Sequence, residues 1–202
     1  MKKLLILSVL AFSVTFALAQ EESQQETLVN GFQVTSVGGY GGPSFRTSSI
    51  GGDFALLFGG YGGVFINKKW MFGGAGYGMV TQLDVPPAAA NGNRGRHYDM
   101  GYGGFLTEYI LNSDRMLHLT AQMLIGGGGI SHDIEGDDLE DTESNFFVLE
   151  PGVGVELNIT DFFRVNGGFT YRLVSGSNTA GITDGDLSSM AFFLNLKFGS
   201  FN

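Results

Sequence analysis

The 202-residue chain contains no cysteine, only 4 prolines and little positive charge. The first absence excludes a disulfide framework and leaves no cysteine for an acyl anchor. The third is set by 11 Lys and Arg against 20 Asp and Glu, a net charge of −9, which argues against a nucleic-acid partner. No window carries a helical 3.6-residue repeat of useful length, apart from the first residues. Glycine is the opposite case: its 33 residues are about twice ordinary usage. There is no Gly-X-Y period, so the excess is neither collagen-like nor the mark of a disordered tract.

The chain opens MKKLLILSVLAFSVTFALAQ. Two lysines, an apolar run from Leu4 to Leu18 and the small-residue end Ala17-Leu18-Ala19 form the layout of a Sec signal peptide cleaved after Ala19. The run is shorter than the roughly 20 apolar residues a membrane helix needs. Export is therefore expected, leaving 9 basic against 20 acidic residues, a net charge of −11. Residues 20–31 are polar and read as a flexible lead-in, and 32–202 as one domain.

Beyond the lead-in, strand-like segments are expected at about 32–45, 51–66, 70–83, 98–111, 116–130, 146–159, 163–175 and 189–199. Three connections are hairpin turns: Asn67-Lys68-Lys69, Asn112 to Arg115, and Thr160-Asp161-Phe162. Three others, 84–97, 131–145 and 176–188, are long and polar, and Arg46-Thr47-Ser48-Ser49 reads as a brief one. Tight turns at one end and long loops at the other give the fold class: all-β, an eight-stranded antiparallel up-and-down transmembrane β-barrel. Glycine pairs at 38–39, 41–42, 59–60, 62–63 and 73–74 interrupt the alternation. They read as bulges, sharp coiling or room for bulky interior side chains.

In 146–173, parity sorts the chemistry. Leu149, Val153, Val155, Leu157, Ile159, Val165, Phe169 and Tyr171 occupy odd positions, whereas Glu150, Glu156, Arg164 and Arg172 occupy even ones. On the last strand Phe192, Leu194 and Leu196 continue the apolar face opposite Lys197. Eight half-solvated strands would offer roughly 40 water-facing positions, at about five per strand. The charges within the strands fill only a fraction of them. The apolar set is therefore expected to face lipid, and Glu150, Glu156, Arg164, Arg172, Lys197 and Glu108 to pair inside a lumen that side chains fill. The turn at 160–162 places Glu150 opposite Arg172, and Pro151 calls for a bulge. Trp70, Tyr109, Phe162 and Phe163 flank the short turns, where an interfacial aromatic belt would lie.

The runs LEPGVGVELNITDFFRVNGGFTYRLVSG, DLSSMAFFLNLKFGSF, GGYGGVFINKKWMFGGAGYG and MGYGGFLTEYILN resemble small glycine-rich outer-membrane barrels of Bacteroidota-type bacteria. In general form the chain is similar to the OmpA-transmembrane and OmpX type. That resemblance implies an outer-membrane location, lipid and lipopolysaccharide as surroundings, and the barrel-assembly machinery as a partner, but no activity. Such barrels usually end on an aromatic, whereas here Asn202 follows Phe201.

A lipid A deacylase type of site pairs His and Ser two apart on one strand. Ser175, Ser177 and Asn178 have Leu173 at the needed spacing, so no catalytic residue and no enzyme activity are expected. His97, His118 and His132 lie on other segments. The acidic run with Asp133, Glu135, Asp137 and Asp138 departs from the calcium-loop pattern; a weak cation loop is the sharper alternative to a solvated acidic loop, and no metal or cofactor is expected. The glycine clusters lead into no helix and are not phosphate cradles. The expected role is structural or surface-interacting in the cell envelope. Alternatives are a narrow conduit for small or hydrophobic solutes, a soluble secreted all-β binding protein and, least favoured, a lipid-modifying enzyme.

Overall fold

The computed structural model of the chain describes residues 33–85, 96–134, 144–179 and 181–201. The expected signal peptide over 1–19 and lead-in over 20–31 lie outside this set. Among the described residues the chain forms β1 (Val37–Ile50), β2 (Asp53–Ile66), β3 (Trp70–Met79), β4 (Leu83–Asp84), β5 (Arg96–Leu111), β6 (Leu117–Ile134), β7 (Ser144–Asn158), β8 (Phe163–Ser175), the one-turn helix α1 (Asp184–Leu187) and β9 (Ser189–Ser200). Apart from β3 and β4, which do not pair with each other, each strand pairs antiparallel with its chain neighbour. β1 also pairs with β9, and β3 with β5, so the sheet closes on itself. The two-residue β4 resumes the edge that β3 leaves on β5. The nine segments therefore form a closed eight-stranded antiparallel barrel, which has no free edge to protect.

Turn chemistry fixes the ends. β1 reaches Ile50, so Arg46 to Ser49 belong to a strand and not to the brief connection expected there. The turn itself is Gly51-Gly52, both at positive φ, the conformation that suits a tight hairpin and that glycine adopts without strain. Asn67 and Lys68 take φ of 53° and 55° in the β2–β3 turn, and Asn67 Oδ1 accepts the Thr35 N–H at 2.8 Å. Thr160 Oγ1 accepts the N–H groups of Phe162 and Phe163 at 3.3 and 3.0 Å and shapes the β7–β8 turn.

The glycines do not bulge. The β1–β2, β2–β3, β5–β6 and β6–β7 ladders each hold one register from end to end. Their role follows from the face they occupy. A Cβ at inward Gly73 would lie 2.0 Å from Gly62 O, and one at inward Gly126 would lie 2.0 Å from Gly103 O and 2.6 Å from Gly104 Cα. Outward Gly76 and Gly78 meet nothing within 4 Å. Tightly coiled strands converge on the inner face of a narrow barrel, and there a Cβ has no room. Gly154 and Gly168 additionally leave space for the Phe193 ring, whose Cζ would lie 2.8 and 2.9 Å from their Cβ atoms.

Gly126→Ala is accordingly expected to destabilise by about 1–3 kcal/mol, the usual cost of overpacking, with Gly76→Ala near neutral. Denaturant midpoints of the two variants in detergent micelles check the contrast.

Pro151 produces no bulge either. β7 and β8 keep the same register on both sides of Glu150 and Pro151, where the ladder has a gap. A second gap falls on β1 at Gly42 and Pro43 in the pairing with β9. In each, the strand stays in register while proline, which has no N–H to donate, interrupts one ladder.

Candidate functional site

Parity gives the barrel two unlike faces. Even residues of β1, β5, β6, β7 and β8 and odd residues of β2, β3 and β9 point inward. All six charged residues expected inside are buried: Glu108, Glu150, Glu156, Arg164, Arg172 and Lys197. They do not form one network. They fall into three groups along the axis.

Near the short-turn end, Lys197 Nζ lies 2.6 and 2.8 Å from the two carboxylate oxygens of Glu108 and also pairs with Glu156. Tyr40 donates its hydroxyl to Glu108 at 2.6 Å. Glu156 further meets Arg164 Nη1 at 3.1 Å, His118 Nε2 at 3.1 Å and Asn166 Nδ2 at 3.2 Å. Two carboxylates thus face a lysine and an arginine with most of their oxygens hydrogen-bonded, the condition under which buried charge is tolerated.

The second group is Arg46 with Glu150, joined by an ion pair. The Arg46 guanidinium also donates to Tyr77 Oη at 2.8 Å and lies 3.9 Å from that ring's centroid. Arg46 takes the place expected for Arg172. The register brings Glu150 to the level of Arg172, but Arg172 turns toward the long-loop end. There it donates Nε–H to Leu187 O at 2.8 Å and Nη2 to Ser48 and Ser189 Oγ at 3.3 and 3.4 Å.

That third group ties down α1. The connection 176–188 was expected as a long polar loop, and its last part folds over the mouth of the barrel. Thr183 caps α1 through a reciprocal capping box with Asp186, and these hydrogen bonds hold the Asp186 carboxyl below its ordinary range. Gly51 N–H donates to Asp186 O at 3.1 Å, and Gly176 and Ser177 N–H donate to the Asp184 carboxylate at 2.9 and 2.8 Å. Leu187 and Ile182 are buried with Ile50, Leu83, Met100 and Val174. At the opposite end Phe201 is buried against Tyr40 and Phe65, with the Arg164 guanidinium 3.9 Å from its ring centroid. Among the described residues, buried side chains occupy the lumen between α1 and Phe201.

Two solved structures share this architecture. Neisserial surface protein A superposes with a TM-score of 0.57 at 13% identity, over 84% of this chain and 99% of that one. The N-terminal β-barrel domain of Pseudomonas aeruginosa OprF gives 0.51 at 12%, over 83% and 99%. The likeness is one of fold. No family model matches the sequence, and no curated protein does.

The outer face carries the residues expected to meet lipid. Val153, Val155, Ile159, Phe169, Tyr171, Phe192 and Leu194 are exposed, and Leu149, Leu157, Val165 and Leu196 are part-exposed on the same face. Trp70 packs on Tyr109 at 4.6 Å, Phe163 stacks on Phe198 at 4.7 Å, and Phe162 is exposed on its turn. These rings gather at the short-turn end. Asp133 lies at the end of β6, while Glu135, Asp137 and Asp138 fall outside the described residues, as does most of 131–145. Ser175 ends β8, the Ser177 N–H is held by Asp184, and among the described residues no serine hydroxyl meets a histidine.

Arg172→Ala is expected to destabilise the fold by more than 1.5 kcal/mol, because it strips a charged donor from Leu187 O and two hydroxyls. Lys68→Ala removes an exposed pair with Asp114 at 3.9 Å and should change stability by about 0–1 kcal/mol. Thermal unfolding in micelles distinguishes them.

Proposed function

We propose that the protein is an exported outer-membrane barrel with a sealed lumen, and that its role is structural or surface-interacting rather than conducting. One observation carries this reading: the barrel is apolar outside and charged inside. Among the described residues 27 large apolar side chains are exposed, including Phe54 and Val153 at 63%. Spread around a closed wall, they far exceed the few hundred Å² of apolar patch typical of a soluble monomer. Hydrocarbon is the solvent that suits such a wall, and a closed sheet is one of the few structures that satisfy every backbone group within it. The likeness in fold to a Neisserial surface protein supports the same reading.

The short-turn end would face the periplasm and the long loops the exterior, with lipopolysaccharide around them and the barrel-assembly machinery as the route of insertion. Two buried ion-paired clusters, the hydrogen-bonded Arg172, α1 over one mouth and Phe201 at the other argue against a conduit among the described residues. Reconstituted into planar bilayers, the protein should show no stepwise ion conductance. Reproducible steps that vanish in a preparation lacking the protein would favour the conduit instead.

A further inference from the structure

Two neighbouring polar atoms lack a partner at the short-turn mouth. Arg164 is 7% exposed, its Nη1 donates to Glu156 at 3.1 Å and its guanidinium lies over the Phe201 ring, yet its Nε–H meets no acceptor among the described residues. Asn158 spends both Nδ2 hydrogens on the carbonyls of Ser113 and Arg115, at 3.0 and 2.9 Å, which fixes the sense of the amide. Its buried Oδ1 meets no donor among the described residues. Groups of this kind are costly to leave unpaired.

The two belong to one place. Asn158 and Arg164 are direct cross-strand partners on β7 and β8, and both line a cleft of about 330 Å³ between the β5–β6 and β7–β8 turns. That volume is about ten times the share of one water in the liquid, so a single bridging water would not fill it. Asp114 on one turn and Asp161 on the other also line it, with their side chains exposed. Lys68 reaches Asp114 only at 3.9 Å, and Arg115 follows Asp114 on its turn. Asp161 makes no ion pair among the described residues. The cleft thus offers a charged donor and a neutral acceptor at its floor, and carboxylates at its rim.

We propose that this cleft binds a short peptide carrying a free ammonium group. A peptide chain offers a C=O for Arg164 Nε–H and an N–H for Asn158 Oδ1 close together, and the ammonium answers Asp161 and Asp114. Simpler occupants leave a group unanswered. An anion satisfies Arg164 but faces two carboxylates and leaves Asn158 Oδ1 unpaired, whereas a bare cation suits the carboxylates and Oδ1 but is repelled by Arg164. The site goes beyond the envelope role proposed above, which enters only where the cleft is assigned to the periplasmic face.

The test titrates the full chain, folded in detergent micelles, with lysyl-alanine amide in a calorimeter. Saturable binding is expected. Affinity should fall about tenfold, the factor that corresponds to 1.4 kcal/mol, when both amines of the dipeptide are acetylated, which keeps the peptide units and removes the charge. A similar fall is expected for pentane-1,5-diamine, which keeps the charge and lacks the peptide units. Asp161→Asn, on an exposed side chain, should weaken binding about tenfold and Arg164→Gln at least as much, while Asp53→Asn at the long-loop end should change nothing. Heat-modifiable gel mobility confirms that each variant has folded, and Asp161→Asn decides the matter should Arg164→Gln not fold. No saturable heat, equal binding of the diamine or of the acetylated dipeptide, or binding unchanged in Asp161→Asn would overturn the proposal. Tighter binding of inorganic phosphate than of the dipeptide would overturn it in favour of an anion site. Binding in micelles does not depend on how the barrel inserts, so each of these outcomes leaves the membrane reading standing.

Discussion

Replacing Lys197 by methionine is expected to destabilise the barrel by about 3–5 kcal/mol, the range for breaking a buried ion pair from one side. The reason lies in what stays behind. Lys197 is fully buried between Glu108 and Glu156, and its removal leaves Glu108 with the Tyr40 hydroxyl as its one donor among the described residues. The double variant Lys197→Met, Glu108→Gln removes the orphaned charge as well and should recover much of the loss. A cycle of these variants, unfolded by guanidinium in micelles and followed by the single tryptophan, Trp70, measures the coupling. Additive losses would mean that the two groups do not share one buried network.

Arginine on the outer wall is expected to act by depth. Ile125 is 45% exposed near the middle of β6, so Ile125→Arg should cost about 2–4 kcal/mol or block insertion into vesicles. Leu157, the penultimate residue of β7, lies close to the short-turn end. An arginine there can extend to the interface, and Leu157→Arg should cost about 0–1 kcal/mol. Folding yields into liposomes, scored by heat-modifiable mobility, separate the two. Equal yields would imply that the wall does not cross a hydrocarbon slab.

The register of the β7–β8 hairpin was legible because its apolar alternation is nearly continuous and its turn is short, although the bulge expected at Pro151 is absent. The first strands were not. Glycine at both parities hides which face of β1 is which, and with the alternation gone, Arg46 read as part of a connection although it lies inside beside Glu150. Side-chain reach was also beyond the register: Arg172 sits level with Glu150 yet spends its donors on Leu187 and two serines nearer the mouth. The plug had a sequence signal, since Thr183-Asp184-Gly185-Asp186 is a capping-box pattern. One turn is too short to stand out as helical periodicity. The distinction between forced and unforced glycines depends on strand coiling, which no periodicity encodes.

The absence of cysteine permits the most direct test of an apolar wall in lipid around a sealed polar lumen. Single cysteines placed in turn along 147–157 and spin-labelled in reconstituted vesicles report contact with oxygen, which dissolves in hydrocarbon, and with a water-soluble nickel chelate. Labels at Phe147, Leu149, Val153 and Val155 should respond strongly to oxygen and hardly to the chelate, while those at Val148, Gly154 and Glu156 respond weakly to both. Strong chelate contact at the odd positions would contradict the account.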